Sequence, residues 1–144
     1  MVITPDNSTL IISESMAGQL TAFDIGADGS LANRRVWAEG LIPDGICMDE
    51  EAAVWVQTEN ARNRSGGTRG PEGAVVRVHE GSEAVERIEH DRAIFASMLG
   101  GPDGKTLFLA AAEWRGIEHV DGALAARTGQ ILIANAPFPG TGWP

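Results

Sequence analysis

Lysine and cysteine are nearly missing from this chain: Lys105 and Cys47 are the sole examples, and tyrosine does not occur. A single cysteine excludes an internal disulfide and a zinc site built on several thiolates, and it suits a reducing compartment such as the cytoplasm. Basic residues are also few, 11 Lys and Arg against 20 Asp and Glu, for a formal net charge of −9. Nucleic acid is thereby excluded as a partner, since its phosphates demand a basic surface. The acidity is compatible with a cation site or a neutral substrate, though its usual meaning is solubility. Long apolar runs are absent as well, so no membrane-spanning helix is expected and a membrane is excluded as a partner. The opening Met1-Val-Ile-Thr-Pro-Asp6 has neither the basic start nor the apolar stretch of a signal peptide. No Gly-x-Ser-x-Gly elbow, phosphate loop or dinucleotide fingerprint occurs.

What the chain does have is turns. Eighteen Gly and seven Pro among 144 residues punctuate short apolar strands, and the punctuation repeats. Val2-Ile-Thr-Pro-Asp-Asn-Ser-Thr-Leu-Ile-Ile12 reads as strand, tight turn and strand. Ile46 to Val56 has the same form around an acidic turn, and Met98 to Leu109 has it around Pro102-Asp-Gly-Lys105. Proline presets φ for such reversals, and Asn or Gly accepts positive φ. Each unit leads to a strand headed by Gly18, Gly73 or Gly129, positions 55 and 56 residues apart. Arg35–Ala38 and Glu83–Ile88 supply a fourth strand to the first two units. The third is followed only by Pro137-Phe-Pro-Gly-Thr-Gly-Trp-Pro144, which cannot be a regular strand.

Antiparallel strands in fours, at a period of about 50 residues, point to an all-β protein of the β-propeller class. The expected blades cover approximately residues 1–40, 41–92 and 93–144 of one domain. Only a short helical turn is expected, at Asp121–Arg127. Polar residues 59–72 and the segment Glu113–Val120 are expected to be loops. Three blades make an incomplete ring. A propeller hides its blade faces by closing with at least four, so two apolar faces are left bare and self-association through them is expected.

Asp44 is the candidate for chemistry. It lies two residues before the strand that opens the second unit, where an inner strand would begin at the mouth of a central channel. A carboxylate there can hold a hard divalent cation through oxygen. The plain alternative is that Pro43-Asp44-Gly45 is only a turn, like Pro102-Asp103-Gly104. In the third unit the corresponding slot falls at Ala96, which has no ligating group. Cys47 reads as a core residue, since no His stands beside it in sequence. His79, His90 and His119 have no ligand spacing and are expected on the surface or in loops. Trp37 and Trp55 read as packing residues; Trp114 and Trp143 fall in loops.

Several of these stretches resemble one family. Leu41-Ile-Pro-Asp-Gly-Ile-Cys-Met-Asp49 with Ala53-Val-Trp-Val56, then Phe95–Gly101, Glu113-Trp-Arg-Gly116 and Ala126–Ile131, are similar to the gluconolactonase, regucalcin (senescence marker protein) and luciferin-regenerating enzyme family. The resemblance extends over essentially the whole chain. It implies a six-bladed propeller that hydrolyses a sugar lactone or related ester with one divalent ion, Ca, Zn, Mn or Mg, in its channel. It also implies a metal held by a Glu, two Asn and the Asp of Pro-Asp-Gly, and of these only the last maps here, as Asp44. That residue would act as metal ligand and as the base that receives a proton from the attacking water. The other ligands of the family would precede Met1, so the chain corresponds to the family's C-terminal half. One carboxylate is a poor site for an ion that takes six to eight oxygens. Weak or no metal binding and no measurable lactonase activity are therefore expected of the chain alone. The competing readings are a non-catalytic interaction module and the product of a shortened reading frame.

Overall fold

The computed structural model describes residues 1–59, 73–81, 84–114 and 116–142. Eleven strands form three antiparallel sheets. The first sheet holds β1 (Val2–Ile3), β2 (Thr9–Glu14), β3 (Gln19–Ile25) and β4 (Leu31–Glu39), each beside the next in the chain. The middle sheet repeats that order with β5 (Cys47–Met48), β6 (Val54–Glu59), β7 (Gly73–Val78) and β8 (Glu86–His90). The third has β9 (Ala93–Gly100), β10 (Thr106–Ala112) and β11 (Gln130–Asn135), and no fourth strand among the described residues.

Local chemistry closes the hairpins. Asn7 has φ 59° and Gly104 φ 73° in the turns that follow β1 and β9. Ala52 has φ 57° in the turn after β5, where a left-handed residue other than glycine costs about 1–2 kcal/mol. Asp49 holds that turn: its Oδ1 accepts the backbone N–H groups of Glu51 and Ala53 at 3.1 and 3.2 Å.

Two apolar layers stack the sheets in chain order. Val2, Ile11, Leu20, Ala22 and Trp37 of the first sheet meet Met48, Val54, Val56, Val76 and Val78 of the middle one. From the opposite face of the middle sheet, Cys47, Trp55 and Val75 pack on Ile94, Leu99, Leu107 and Leu109. Alternation therefore points β6 and β7 into core on both sides, and every residue of β7 is buried. That explains an almost unbroken apolar run, Ala-Val-Val-Arg-Val, where a half-exposed strand would alternate. β4, outermost in its sheet, reads Leu-Ala-Asn-Arg-Arg and is exposed over those first four residues.

Some elements differ from the sequence reading. β9 begins at Ala93, five residues before Met98, because a bulge opposite Ala110/Ala111 lets Ile94 turn inward beside Ala111. Ala96 therefore lies within a strand rather than ahead of one. β4 is longer than Arg35–Ala38, and the helix α1, Val120–Ala126, follows a 3₁₀ turn at Ile117–His119. His90 is a strand residue whose Nε2 is buried, not a loop residue. Residues 60–72 of the expected polar loop, Glu83 and Trp143 lie outside the described residues.

Candidate functional site

Residues 43–45 stand where all three sheets converge. From the first sheet's hairpin, Ser13 Oγ donates to the Asp44 carbonyl at 2.7 Å and Ser15 Oγ to the Pro43 carbonyl at 2.6 Å. From the middle sheet, Gln57 Oε1 accepts the Asp44 N–H at 3.0 Å and its Nε2 donates to the Gly45 carbonyl at 2.7 Å. From the third, Phe95 accepts the Gly45 N–H at 2.9 Å, and the Ser97 N–H donates to the Gly45 carbonyl at 3.0 Å. The last pair makes a parallel bridge between Gly45 and Ala96. The approach is so close that a Cβ at position 45 would lie 2.6 Å from the Ala96 Cβ. Only glycine passes there.

The consequence is a fixed backbone with a spare carboxylate. Pro43 and Ile46 are buried, whereas Asp44 is exposed, and its carboxylate takes no hydrogen bond among the described residues. All the ties above are to main-chain atoms of residues 43–45. Seven hydrogen bonds from three sheets pin that backbone, so only the side-chain torsions of Asp44 remain to be ordered when it binds.

The surrounding groups do other things. Cys47 is buried, burial pushes its thiol up to about 11, and its Sγ lies 3.7 Å from Ser97 Oγ. A thiol of that kind is a core group, not a nucleophile. Asp49 is fully buried and paired with Arg77, Nε to Oδ2 at 2.6 Å and Nη2 to Oδ1 at 3.2 Å. The Arg77 guanidinium also lies 4.7 Å over the Phe138 ring. That pair is committed to structure: it ties β7 to the β5–β6 turn and holds down the segment after β11.

A cavity of about 310 Å³ opens beside the β10–β11 connection, lined by Glu113, His119, Gly122, Ala123, Ala126 and Thr128. β9 starts where β10 ends, Ala93 facing Ala112, so this connection rises on the side where Phe95 meets Gly45. Trp114 packs edge-on against Phe95, centroids 5.8 Å apart. The expected loop tryptophan, next in sequence to the lining residue Glu113, thus packs on the strand beside Asp44.

A metal at Asp44 would need more donors than this chain shows there. Among the described residues, no three His, Cys, Asp or Glu side chains come together in a group able to hold an ion. Asp44 fits as one oxygen ligand, and no such group forms around it among the described residues. The sequence reading missed the residues that make Asp44 rigid. Ser13 and Ser15 left a signal, alternate hydroxyls closing an apolar strand, and so did Gln57, a polar residue following Val54-Trp-Val56.

Three sheets of successive antiparallel strands, stacked face to face around a shared inner bridge, define this as part of a β-propeller. Two solved structures carry the same arrangement. A luciferin-regenerating enzyme superposes with a TM-score of 0.72 at 15% identity, over 96% of this chain and 45% of its own. A calcium-binding protein, regucalcin, from Agrobacterium tumefaciens str. C58 superposes with a TM-score of 0.65 at 19% identity, over 97% and 45%. This chain thus spans less than half the length of either. Residues 1–113 match the SMP-30/Gluconolactonase/LRE-like region, and the chain belongs to that family. No helix among the described residues is long and apolar enough to cross a membrane.

Proposed function

We propose that Asp44 is the carboxylate this chain contributes to a divalent-metal-dependent lactone hydrolase centre, acting on a small sugar lactone or related ester. The observation that carries the reading is an exposed, uncommitted carboxylate on a backbone fixed by three sheets. Asp49 is spent on Arg77; the Asp44 carboxylate has no such partner among the described residues. Family membership supports the reaction class, and the calcium-binding description of the regucalcin supports a hard divalent ion, Ca, Mn, Mg or Zn.

Lactone hydrolysis adds water to the ring carbonyl and breaks the ring C–O bond, giving a hydroxy acid. A bound divalent ion supplies Lewis-acid polarisation of that carbonyl. Asp44 holds one oxygen ligand position and, ionised, can receive the proton that the attacking water gives up. Its tied backbone fixes the point from which the carboxylate reaches the ion. Of the ligands that the family resemblance implies only Asp44 maps onto this sequence, so the chain alone is expected to bind the ion weakly and to leave gluconolactone at its buffer rate of hydrolysis. A reducing, cytoplasmic setting belongs to the same reading, on the strength of one buried thiol and no disulfide.

Amide line broadening by millimolar Mn²⁺ tests the site without needing turnover. Broadening should centre on Asp44 and Gly45, vanish in Asp44→Asn and persist in Asp103→Asn. Broadening centred elsewhere, or a tight one-to-one calorimetric site that survives Asp44→Asn, overturns the proposal.

A further inference from the structure

Every residue lining the cavity beside the β10–β11 connection belongs to that one connection, and its walls are of two kinds. Gly122, Ala123 and Ala126 of α1 offer only small apolar surface. No residue of α1 is buried, so packing against a core does not require small side chains there. Glu113, Thr128 and His119 supply the polar groups. At the neck of the connection Thr128 Oγ1 accepts the Glu113 N–H at 3.1 Å, which leaves the hydroxyl proton to donate. Arg92 Nη1 stands 3.6 Å from Glu113 Oε1, near enough to offset the charge but too far for a hydrogen bond. Among the described residues, neither the Glu113 carboxylate nor the His119 ring makes a hydrogen bond.

These groups discriminate among ligand classes. An anion meets a carboxylate in the wall of a protein of net charge −9. A cation meets a carboxylate that Arg92 already offsets, with no Trp, Tyr or Phe face among the lining residues. A neutral ring carrying several hydroxyls matches. Each hydroxyl both donates and accepts, so it serves carboxylate, threonine and imidazole alike, while the C–H face of the ring covers the alanine methyls. At about 310 Å³ the cavity is at the small end of ligand sites, roughly 300–1,000 Å³, which suits a single ring. We propose that it binds a small neutral polyhydroxylated ring, with Glu113 accepting from the ring hydroxyls and Thr128 donating to one. Such binding needs neither a metal nor Asp44. Glu113 leads through Trp114 to Phe95, whose carbonyl holds Gly45. That the bound ring is the hydroxyl-bearing part of the lactone is the one step that rests on the reading of Asp44.

Amide shifts of the full chain titrated with methyl glucoside, a neutral ring polyol with no ester to break, decide it. Saturable shifts are expected at Glu113, Gly122, Ala126 and Thr128. Ala126→Leu fills the cavity from an exposed helix position and should abolish them, with the rest of the spectrum unchanged. Glu113→Gln removes a charged acceptor and should weaken binding about tenfold. Choline and acetate, run alongside, should not saturate. The proposal is overturned by no saturable shift up to the solubility of the glucoside, by shifts centred elsewhere, or by shifts that survive Ala126→Leu. Saturation by choline or acetate in place of the glucoside overturns it as well. Mn²⁺ broadening at Asp44, read on the same samples, separates the two readings. It should persist in Ala126→Leu, and its absence from the wild type beside intact glucoside shifts would sink the Asp44 reading alone.

Discussion

The tripeptide Pro-Asp-Gly occurs at residues 43–45 and again at 102–104, and the two copies are built for different work. In the second, Asp103 Oδ1 accepts the Lys105 N–H at 3.0 Å, and Gly104 takes φ 73° to complete a hairpin between β9 and β10. Its carboxylate is consumed by its own turn. In the first, Gly45 is absent from the positive-φ positions, and what it needs is space beside Ala96. There the carboxylate is left over, because hydroxyls, a carboxamide and backbone groups from three sheets satisfy the main chain instead. Identical residues thus make a turn in one place and a presented ligand in the other. The difference lies in what surrounds the backbone.

Crowding at Gly45 gives the largest test. Gly45→Ala would place its methyl 2.6 Å from the Ala96 Cβ, and overpacking of that kind costs about 3 kcal/mol. Adding Ala96→Gly should restore most of the loss in a urea melt. Gly104→Ala combines a positive φ with a methyl 2.9 Å from the Pro139 Cβ and should cost about 3 kcal/mol, but Ala96→Gly should not rescue it. Equal behaviour of the two glycines would erase the distinction drawn above.

Next is Gln57, which is 2% exposed and bonds the first tripeptide twice. Gln57→Leu keeps the volume but strands the Asp44 N–H, and is expected to cost about 2 kcal/mol. The same urea melts measure it. The second tripeptide offers a weaker counterpart: Asp103→Ala loses one exposed turn bond, worth about 0.5–1 kcal/mol.

A further effect, confined to high pH, is a pH dependence in the strand that only the first tripeptide opens. Burial raises the Cys47 thiol from an ordinary value of 9.0 to about 11. The unfolded chain therefore ionises first as pH rises. Stability from this group is fully present below pH 9 and falls between about 9 and 11, by up to about 3 kcal/mol. Cys47→Ala should flatten that limb of the stability-versus-pH curve, at some cost in packing. A limb left unchanged by Cys47→Ala would show that other groups set it.

Much of the fold was legible because turn chemistry and strand periodicity are local. Pro-Asp-Asn, the acidic turn and Pro-Asp-Gly-Lys each marked a hairpin that exists. The early start of β9 was hidden because it depends on a bulge within β9, opposite Ala110/Ala111, and a bulge reflects what the partner strand needs. Asp44 stood out by its place before a strand, but the reasons for its rigidity did not. Ser13, Gln57 and Ser97 are 31, 13 and 53 positions from Asp44 in sequence, and no spacing rule joins them. Arg77 is a similar case: a cation within Val-Val-Arg-Val demands a buried anion, yet nothing local names Asp49, 28 residues away.

Among the described residues the segment after β11 has no strand, but it is far from loose. Ala136 N–H bonds to the Lys105 carbonyl at 2.8 Å, Gly140 N–H to Gly104 at 3.0 Å and Thr141 N–H to Met48 at 3.2 Å, while Glu50 N–H returns to Pro139 at 2.9 Å. Phe138 lies under the Arg77 guanidinium between them. The segment therefore stitches the middle sheet to the third, and its amide protons belong to the same cooperative opening unit as β5 and β10. In a hydrogen-exchange experiment this irregular stretch should be as slow as a strand, and clipping it away would unzip two sheets at once.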